Sequence, residues 1–274
     1  MDFITKLEQA QKLNCSLVCV GLDPVLDRLP EACRRDKRPF FSFNRAIIEA
    51  TADLVCAYKP QIAHYAACGA EDELAETIAF IHDHHPGIPV ILDAKRGDIG
   101  STAARYADEA FTRYQADAVT VNPYLGGDSL EPFLNCREHG VVILCRTSNP
   151  GGAQLQGLET ASGRPLYLEV ARLAARQWNG NGNVLLVVGA TWPEELARVR
   201  QEVGPMIMLV PGIGAQGGDL KAVLAAGLRA DGGGLVINSS RGIIYAGQGS
   251  DFAAAARQAA AELRDQINLF RNLS

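Results

Sequence analysis

Eight short runs of consecutive apolar residues punctuate the chain. Each is followed by a longer stretch with helical spacing or by a polar loop leading to one. The runs are Leu17–Pro24, Leu54–Pro60, Ile88–Lys95, Asp117–Pro123, Gly140–Arg146, Asn183–Gly189, Met206–Val210 and Gly233–Asn238. Helical periodicity is read at the N-terminus, near Phe43–Asp53, and over 70–84, 101–114, 127–138, 166–178, 193–203, 217–227 and 252–270. Runs that are continuously apolar, rather than alternating with polar residues, mark strands buried on both faces, as in a parallel sheet covered by helices.

Eight such units predict an α/β fold, a single-domain (β/α)8 or TIM barrel spanning residues 1–274. An open doubly wound sheet is the competing architecture, although no Gly-x-Gly-x-x-Gly follows the first strand. Two segments break the rhythm. Residues 25–41 are polar, basic and proline-containing and read as a surface excursion. Residues 147–165, rich in Gly, Pro, Ser and Asn, have too little periodicity for a regular element and read as an active-site lid.

Composition narrows the function classes. With 274 residues, 47% hydrophobic, and a formal charge of −5, the chain has ample core and no general basic character. It is therefore expected to bind neither nucleic acid nor an acidic membrane surface. No signal peptide and no run of transmembrane length are read, and seven cysteines without a Cys-x-x-Cys pair fit a reducing cytoplasm.

In a barrel, residues just past each strand share one rim. That rim would collect Asp23, Lys59, Asp93 with Lys95, Thr147 and Ser148, the loop Pro211–Gly218, and Arg241. Strand alternation puts Asp93 and Lys95 on one face, and Asp98 stands at or just before a helix start. Two carboxylates bracketing a lysine keep it cationic and fixed. Taken alone, Asp93 and Lys95 read as a strand-end salt bridge; their convergence with charges from other strand ends favours a site. The loop Pro211-Gly-Ile-Gly-Ala-Gln-Gly-Gly218 offers backbone amides ahead of a helix, which suits phosphate, with Gln216 and the Arg241 guanidinium as side-chain donors. Ser148 is as readily a loop cap as a contact residue, and Thr102 a helix-turn residue. His82, His84 and His85 read as a solvated cluster rather than a metal site.

Together these residues resemble the orotidine 5′-phosphate decarboxylase family, in its longer bacterial-type branch. The resemblance rests on Asp93-Ala-Lys-Arg-Gly-Asp-Ile-Gly-Ser-Thr102 and the glycine-rich loop at 211–218. Gly21-Leu-Asp-Pro24, Tyr58-Lys-Pro60 and Ser148-Asn-Pro-Gly151 support it. It implies conversion of orotidine 5′-phosphate to UMP and CO2 without metal or organic cofactor, by a homodimer. Carried over, Lys95 is the proton donor to C6, Asp93 lies beside the departing carboxylate, and Lys59 joins the charges and contacts ribose. Asp98 and Thr102 reach the neighbouring subunit's site. Asp23 holds a ribose hydroxyl, Ser148 the pyrimidine, and Gln216 with Arg241 the phosphate. A magnesium-dependent sugar-phosphate lyase on the same aspartate–lysine frame and a catalytically silent phosphate-binding barrel are the alternatives.

Overall fold

A computed structural model describes residues 1–213 and 218–271. Gln216 therefore lies outside the described residues. All eight expected strands form: β1 (Val18–Leu22), β2 (Ala57–Pro60), β3 (Ile91–Arg96), β4 (Ala118–Val121), β5 (Gly140–Arg146), β6 (Val184–Val188), β7 (Met208–Pro211) and β8 (Leu235–Ser239). They are parallel and lie in the order β2-β1-β8-β7-β6-β5-β4-β3. Bridges Tyr58↔Val90 and Gln61↔Asp93, with the Tyr58 amide donating to Pro89 at 3.1 Å, bring β2 back to β3. The sheet thus closes into the barrel, and the open-sheet alternative falls.

Closure explains the continuous apolar runs. Successive residues on each strand face opposite sides, and here both sides are buried. Cys19, Ala57, Ile91, Ala118, Val142, Leu185, Leu209 and Val236 fill the barrel interior. Val18, Val20, Val119, Ile143, Leu186, Val210 and Ile237 pack outward under the helices. Each fully buried side chain of this size contributes about 1.5–3 kcal/mol.

The N-terminal helix Phe3–Leu13 seals the floor. Asp2 caps it, accepting from the Thr5 amide at 3.0 Å, and Phe3 and Leu7 join the interior cluster. The ring of Phe3 occupies the space a Cβ at Gly140 would need, so only glycine fits there. With the floor plugged, the cavity lies at the C-terminal ends of the strands.

The two irregular segments hold more structure than their composition announces. The excursion contains a short turn of helix at Leu26–Arg28 and a helix at Glu31–Arg34, and the next helix, Pro39–Thr51, begins within it. It is tied to the segment after β8: Tyr245 accepts from the Val25 amide at 2.7 Å, and Arg28 lies over the Tyr245 ring. In 147–165, a turn at Pro150–Gly152 runs into a helix at Ala153–Gln156. Both pieces are one turn or less, too short to leave a periodic signature.

Of the histidine cluster read as solvated, His84 is exposed, whereas His82 and His85 are partly buried. His82 Nε2 lies 3.0 Å from Asp117 Oδ2, and Lys6 Nζ donates to the other oxygen at 2.8 Å, so these residues join two helices to the start of β4. His84 stacks on Phe80. Among the described residues, no group of three His, Cys, Asp or Glu side chains is arranged to hold a metal. None of the described helices is long and apolar enough to cross a membrane, and all seven cysteines are free thiols.

Candidate active site

The cavity at the mouth, about 410 Å³, is lined by residues from all eight strands or the loops just past them. They include Asp23, Lys59, Asp93, Lys95, Ser148 and Arg241. Six of the residues singled out in the sequence are thus brought together. Asp98 and Thr102 are not among the lining residues; Thr102 is exposed and Asp98 partly so.

The electrostatic centre is Asp93. Its Oδ2 accepts from Lys59 Nζ at 2.9 Å and its Oδ1 from Lys95 Nζ at 2.7 Å. Lys59 is almost wholly buried, whereas the Lys95 side chain is 46% exposed to the cavity. Burial by itself would push the Asp93 carboxyl up, but the two ammonium groups hold it well below the ordinary carboxylate range. Burial likewise opposes the charge on Lys59, and Asp93 and Asp23 outweigh it, raising its pKa. A buried anion is therefore clamped between one enclosed cation and one facing the cavity.

Asp93 and Lys95 meet, but not by regular strand alternation. The β3–β4 register runs from Leu92↔Val119 directly to Arg96↔Val121, so residues 93–95 face Thr120 alone. Lys95 has φ +48° within this bulge, a left-handed conformation uncommon for lysine. Asp98 accepts from the Ile99 amide at 2.8 Å and stands two residues ahead of the helix Gly100–Asp108. Of the two expected bracketing carboxylates, Asp93 alone contacts Lys95 within the described chain.

The rest of the rim is built by close backbone approach. A Cβ at Gly189 would lie 2.6 Å from the Ser148 backbone, so glycine at the end of β6 lets the β5 loop settle against it. Ser148 is then held through its carbonyl, which accepts from Thr191 Oγ1 at 3.0 Å. At β7, Gly212 has φ +106° and Ile213 bridges to Gly218, closing the base of the glycine-rich loop. The following helix, Leu220–Gly227, is capped by the Asp219 side chain, which accepts from the Ala222 amide at 3.2 Å. The Asp219 carboxylate takes one amide at the start of this helix, and residues 214–217 of the loop expected to bind phosphate lie outside the described residues. Arg241 begins the turn after β8 and forms no ion pair with any described residue. Asp23 Oδ1, Asn238 Oδ1 and Ser240 Oγ are buried without a hydrogen-bond partner among the described residues.

Sequence reasoning missed Arg146. This last residue of β5 is fully buried, pairs with Glu195, and lies over the Trp192 ring. Gln156 ties the loop back to it, accepting from the Thr147 amide at 2.9 Å and from Arg146 Nη1 at 3.2 Å. An arginine closing an apolar run was the available signal; its partners are too distant in sequence to read.

Fold and mouth define a (β/α)8-barrel enzyme with a lysine–carboxylate array in the cavity at its mouth. The sequence profile of the Orotidine 5′-phosphate decarboxylase / HUMPS family matches residues 16–259. An orotidine 5′-phosphate decarboxylase from Azoarcus sp. is 59% identical over 271 residues, covering 99% of this chain and all of that protein. One from Cellvibrio japonicus is 59% identical over 273 residues at the same coverage. The solved OMP decarboxylase of Leishmania donovani superposes with a TM-score of 0.86 at 45% identity, covering 99% of both chains. The UMP synthase of the same organism superposes at 0.87 and 46% identity, and this chain spans 57% of its length. The chain belongs to the orotidine 5′-phosphate decarboxylase family.

Proposed function

We propose that the chain decarboxylates orotidine 5′-phosphate to UMP and CO2 in pyrimidine biosynthesis, without metal or organic cofactor, and that Lys95 protonates C6. The observation carrying this reading is the Lys59–Asp93–Lys95 array opening into the cavity that Arg241 also lines.

The chemistry is demanding. When the bond from C6 to the carboxylate breaks, CO2 leaves and the electron pair stays in an sp2 orbital that the ring π-system delocalises poorly. With no cofactor as electron sink, fixed charges must stabilise it. Lys95 faces the cavity, so its ammonium lies beside the developing carbanion and delivers a proton to C6, leaving a neutral amine. Buried Lys59 keeps Asp93 ionised and in place. The Asp93 carboxylate then disfavours the substrate carboxylate before it departs.

Binding is divided among the strand ends. Asp23, whose buried Oδ1 lacks a hydrogen-bond partner among the described residues, takes a ribose hydroxyl together with Lys59. Ser148 contacts the pyrimidine. Arg241 and Gln216 hold the phosphate with amides of the β7 loop. The segment 147–165 closes over the bound nucleotide, and phosphate binding far from C6 drives that closure.

Two copies complete each site. Asp98 and Thr102 reach across to a neighbouring chain, beside the exposed apolar side chains of Ile99, Tyr124 and Leu125. The chain just past β3 and β4 lies close together, since the Asn122 amide donates to the Arg96 carbonyl at 2.7 Å. The dimer works in the cytoplasm.

The test is the loss of orotidine 5′-phosphate absorbance in EDTA-treated solution. Turnover to UMP is expected. EDTA-sensitive cleavage of a hexulose phosphate with no action on orotidine 5′-phosphate overturns the reading, as does UMP binding without turnover.

A further inference from the structure

The Thr120 hydroxyl makes three hydrogen bonds, all to the segment that carries the proposed chemistry. Its Oγ1 accepts from the amides of Ala94 and Lys95, each at 2.9 Å, and donates to Asp93 Oδ1 at 2.8 Å. The side chain is 1% exposed and points from β4 into the cavity.

These contacts have a structural cause. Three residues of β3 bulge opposite one residue of β4, so two amides lose the strand carbonyls that a regular ladder would offer. A buried amide without an acceptor is costly. The Thr120 hydroxyl is the acceptor for both, and its own proton goes to the carboxylate that grips Lys59 and Lys95. A single oxygen therefore fixes the backbone that holds Lys95 at φ +48° and the rotamer of Asp93.

We infer that Thr120 is a positioning residue: its hydroxyl holds the β3 bulge so that the Lys95 ammonium stands at the reacting carbon. The inference rests on the decarboxylase reading above. A valine has nearly the same shape but neither accepts nor donates, so it separates packing from hydrogen bonding. Serine keeps the hydroxyl and loses only a methyl.

The experiment compares Thr120→Val and Thr120→Ser with wild type, using kcat for orotidine 5′-phosphate and the affinity for UMP. Thr120→Val should lower kcat about 10- to 100-fold, the range set by losing hydrogen bonds to a charged group and to two amides. UMP affinity should hold within about threefold, because the phosphate and ribose contacts are untouched, and Thr120→Ser should keep most of kcat. An unchanged kcat in Thr120→Val overturns the inference. So does an equal loss of kcat and UMP affinity, or a loss that serine fails to rescue. Should the valine variant not fold, Thr120→Ala carries the same comparison.

A second readout does not depend on turnover. A crystal structure of Thr120→Val (or Thr120→Ala) should show Lys95 out of the left-handed region and its contact with Asp93 lost; an unaltered bulge overturns the inference. Failure of the decarboxylase reading itself is seen separately, as inactive wild-type protein.

Discussion

Lys59 Nζ lies 2.9 Å from Asp93 Oδ2, and both side chains are buried at the rim of a barrel whose interior is filled largely with apolar groups. Enclosing two charges is expensive, and the cost is recovered only while both are present. Asp93→Asn would leave the Lys59 ammonium enclosed with its nearest anion removed. That variant should lose stability on the order of 3 kcal/mol, measured by urea unfolding at neutral pH. An unchanged midpoint would mean that Asp23 or water compensates Lys59 fully.

The same pair sets a pH window. The Asp93 carboxyl is held below its ordinary 3.8, against burial, by Lys59 and Lys95. Lys59 is held above its ordinary 10.5, against burial, by Asp93 and Asp23. A lowered carboxyl stabilises the fold above its unfolded value, and that contribution fades as pH falls toward the folded one. A raised ammonium stabilises below its unfolded value and loses its contribution as pH climbs through the folded one. The stability advantage of wild type over Asp93→Asn should therefore be flat from about pH 5 to 9 and shrink in acid below the ordinary carboxylate value. An advantage that instead varies across neutral pH would assign the linkage to another group.

Lys95 is the cation of this array that faces the cavity, its side chain 46% exposed while Lys59 is enclosed. Lys95→Ala should lower kcat by at least about 10⁴-fold, since it removes both the stabilising charge and the proton donor. UMP should still bind, as Arg241 and Asp23 remain. Turnover near wild type would exclude Lys95 from the chemistry.

The strands were legible because burial on both faces writes itself as unbroken apolar runs. Val184–Val188 and Gly140–Arg146 need no context to be recognised. The rim followed from the barrel, since strand ends converge whatever the loops do. Local geometry was hidden. Nothing in Ile91-Leu-Asp-Ala-Lys-Arg96 announces a bulge, because three residues facing one is a property of two strands together. Alternation gave the right neighbour for Lys95 through a regularity that β3 lacks. Thr120 and Arg146 were equally hidden. A threonine inside an apolar run looks like a β-former, and the partner of Arg146, Glu195, lies on a helix beyond another strand. The helical turn at Ala153–Gln156 is stabilised by what Gln156 touches, not by periodicity.

Asp98 and Thr102 are not among the residues lining the cavity of their own chain, and the proposal that two copies share each site is testable by mixing. Asp98→Ala and Lys95→Ala dimers should each be nearly inactive. Co-refolded together, they form hybrids in which one site draws intact Lys95 from one chain and intact Asp98 from the other. Random pairing makes half the dimers hybrid with one good site of two, so about a quarter of wild-type activity should return. No recovery in a mixture shown to contain hybrids would place Asp98 in its own chain's site, whereas an active Asp98→Ala dimer would put it outside catalysis.

Arg241 stands at the cavity edge just past β8 and makes no ion pair among the described residues, so its charge is available to an anion. A guanidinium binding phosphate far from C6 interacts alike with bound substrate and transition state unless closure couples the two ends. Arg241→Ala should therefore raise KM strongly, lowering kcat/KM by about 100-fold, the worth of a charge-assisted bidentate contact. The decisive comparison uses orotidine, which lacks the phosphate. If Arg241 acts through that group, the variant and wild type should process orotidine equally poorly. A matching loss on orotidine would instead give the arginine a role at the ring or ribose. A fall in kcat confined to the phosphorylated substrate would show that phosphate binding also drives the closure of 147–165.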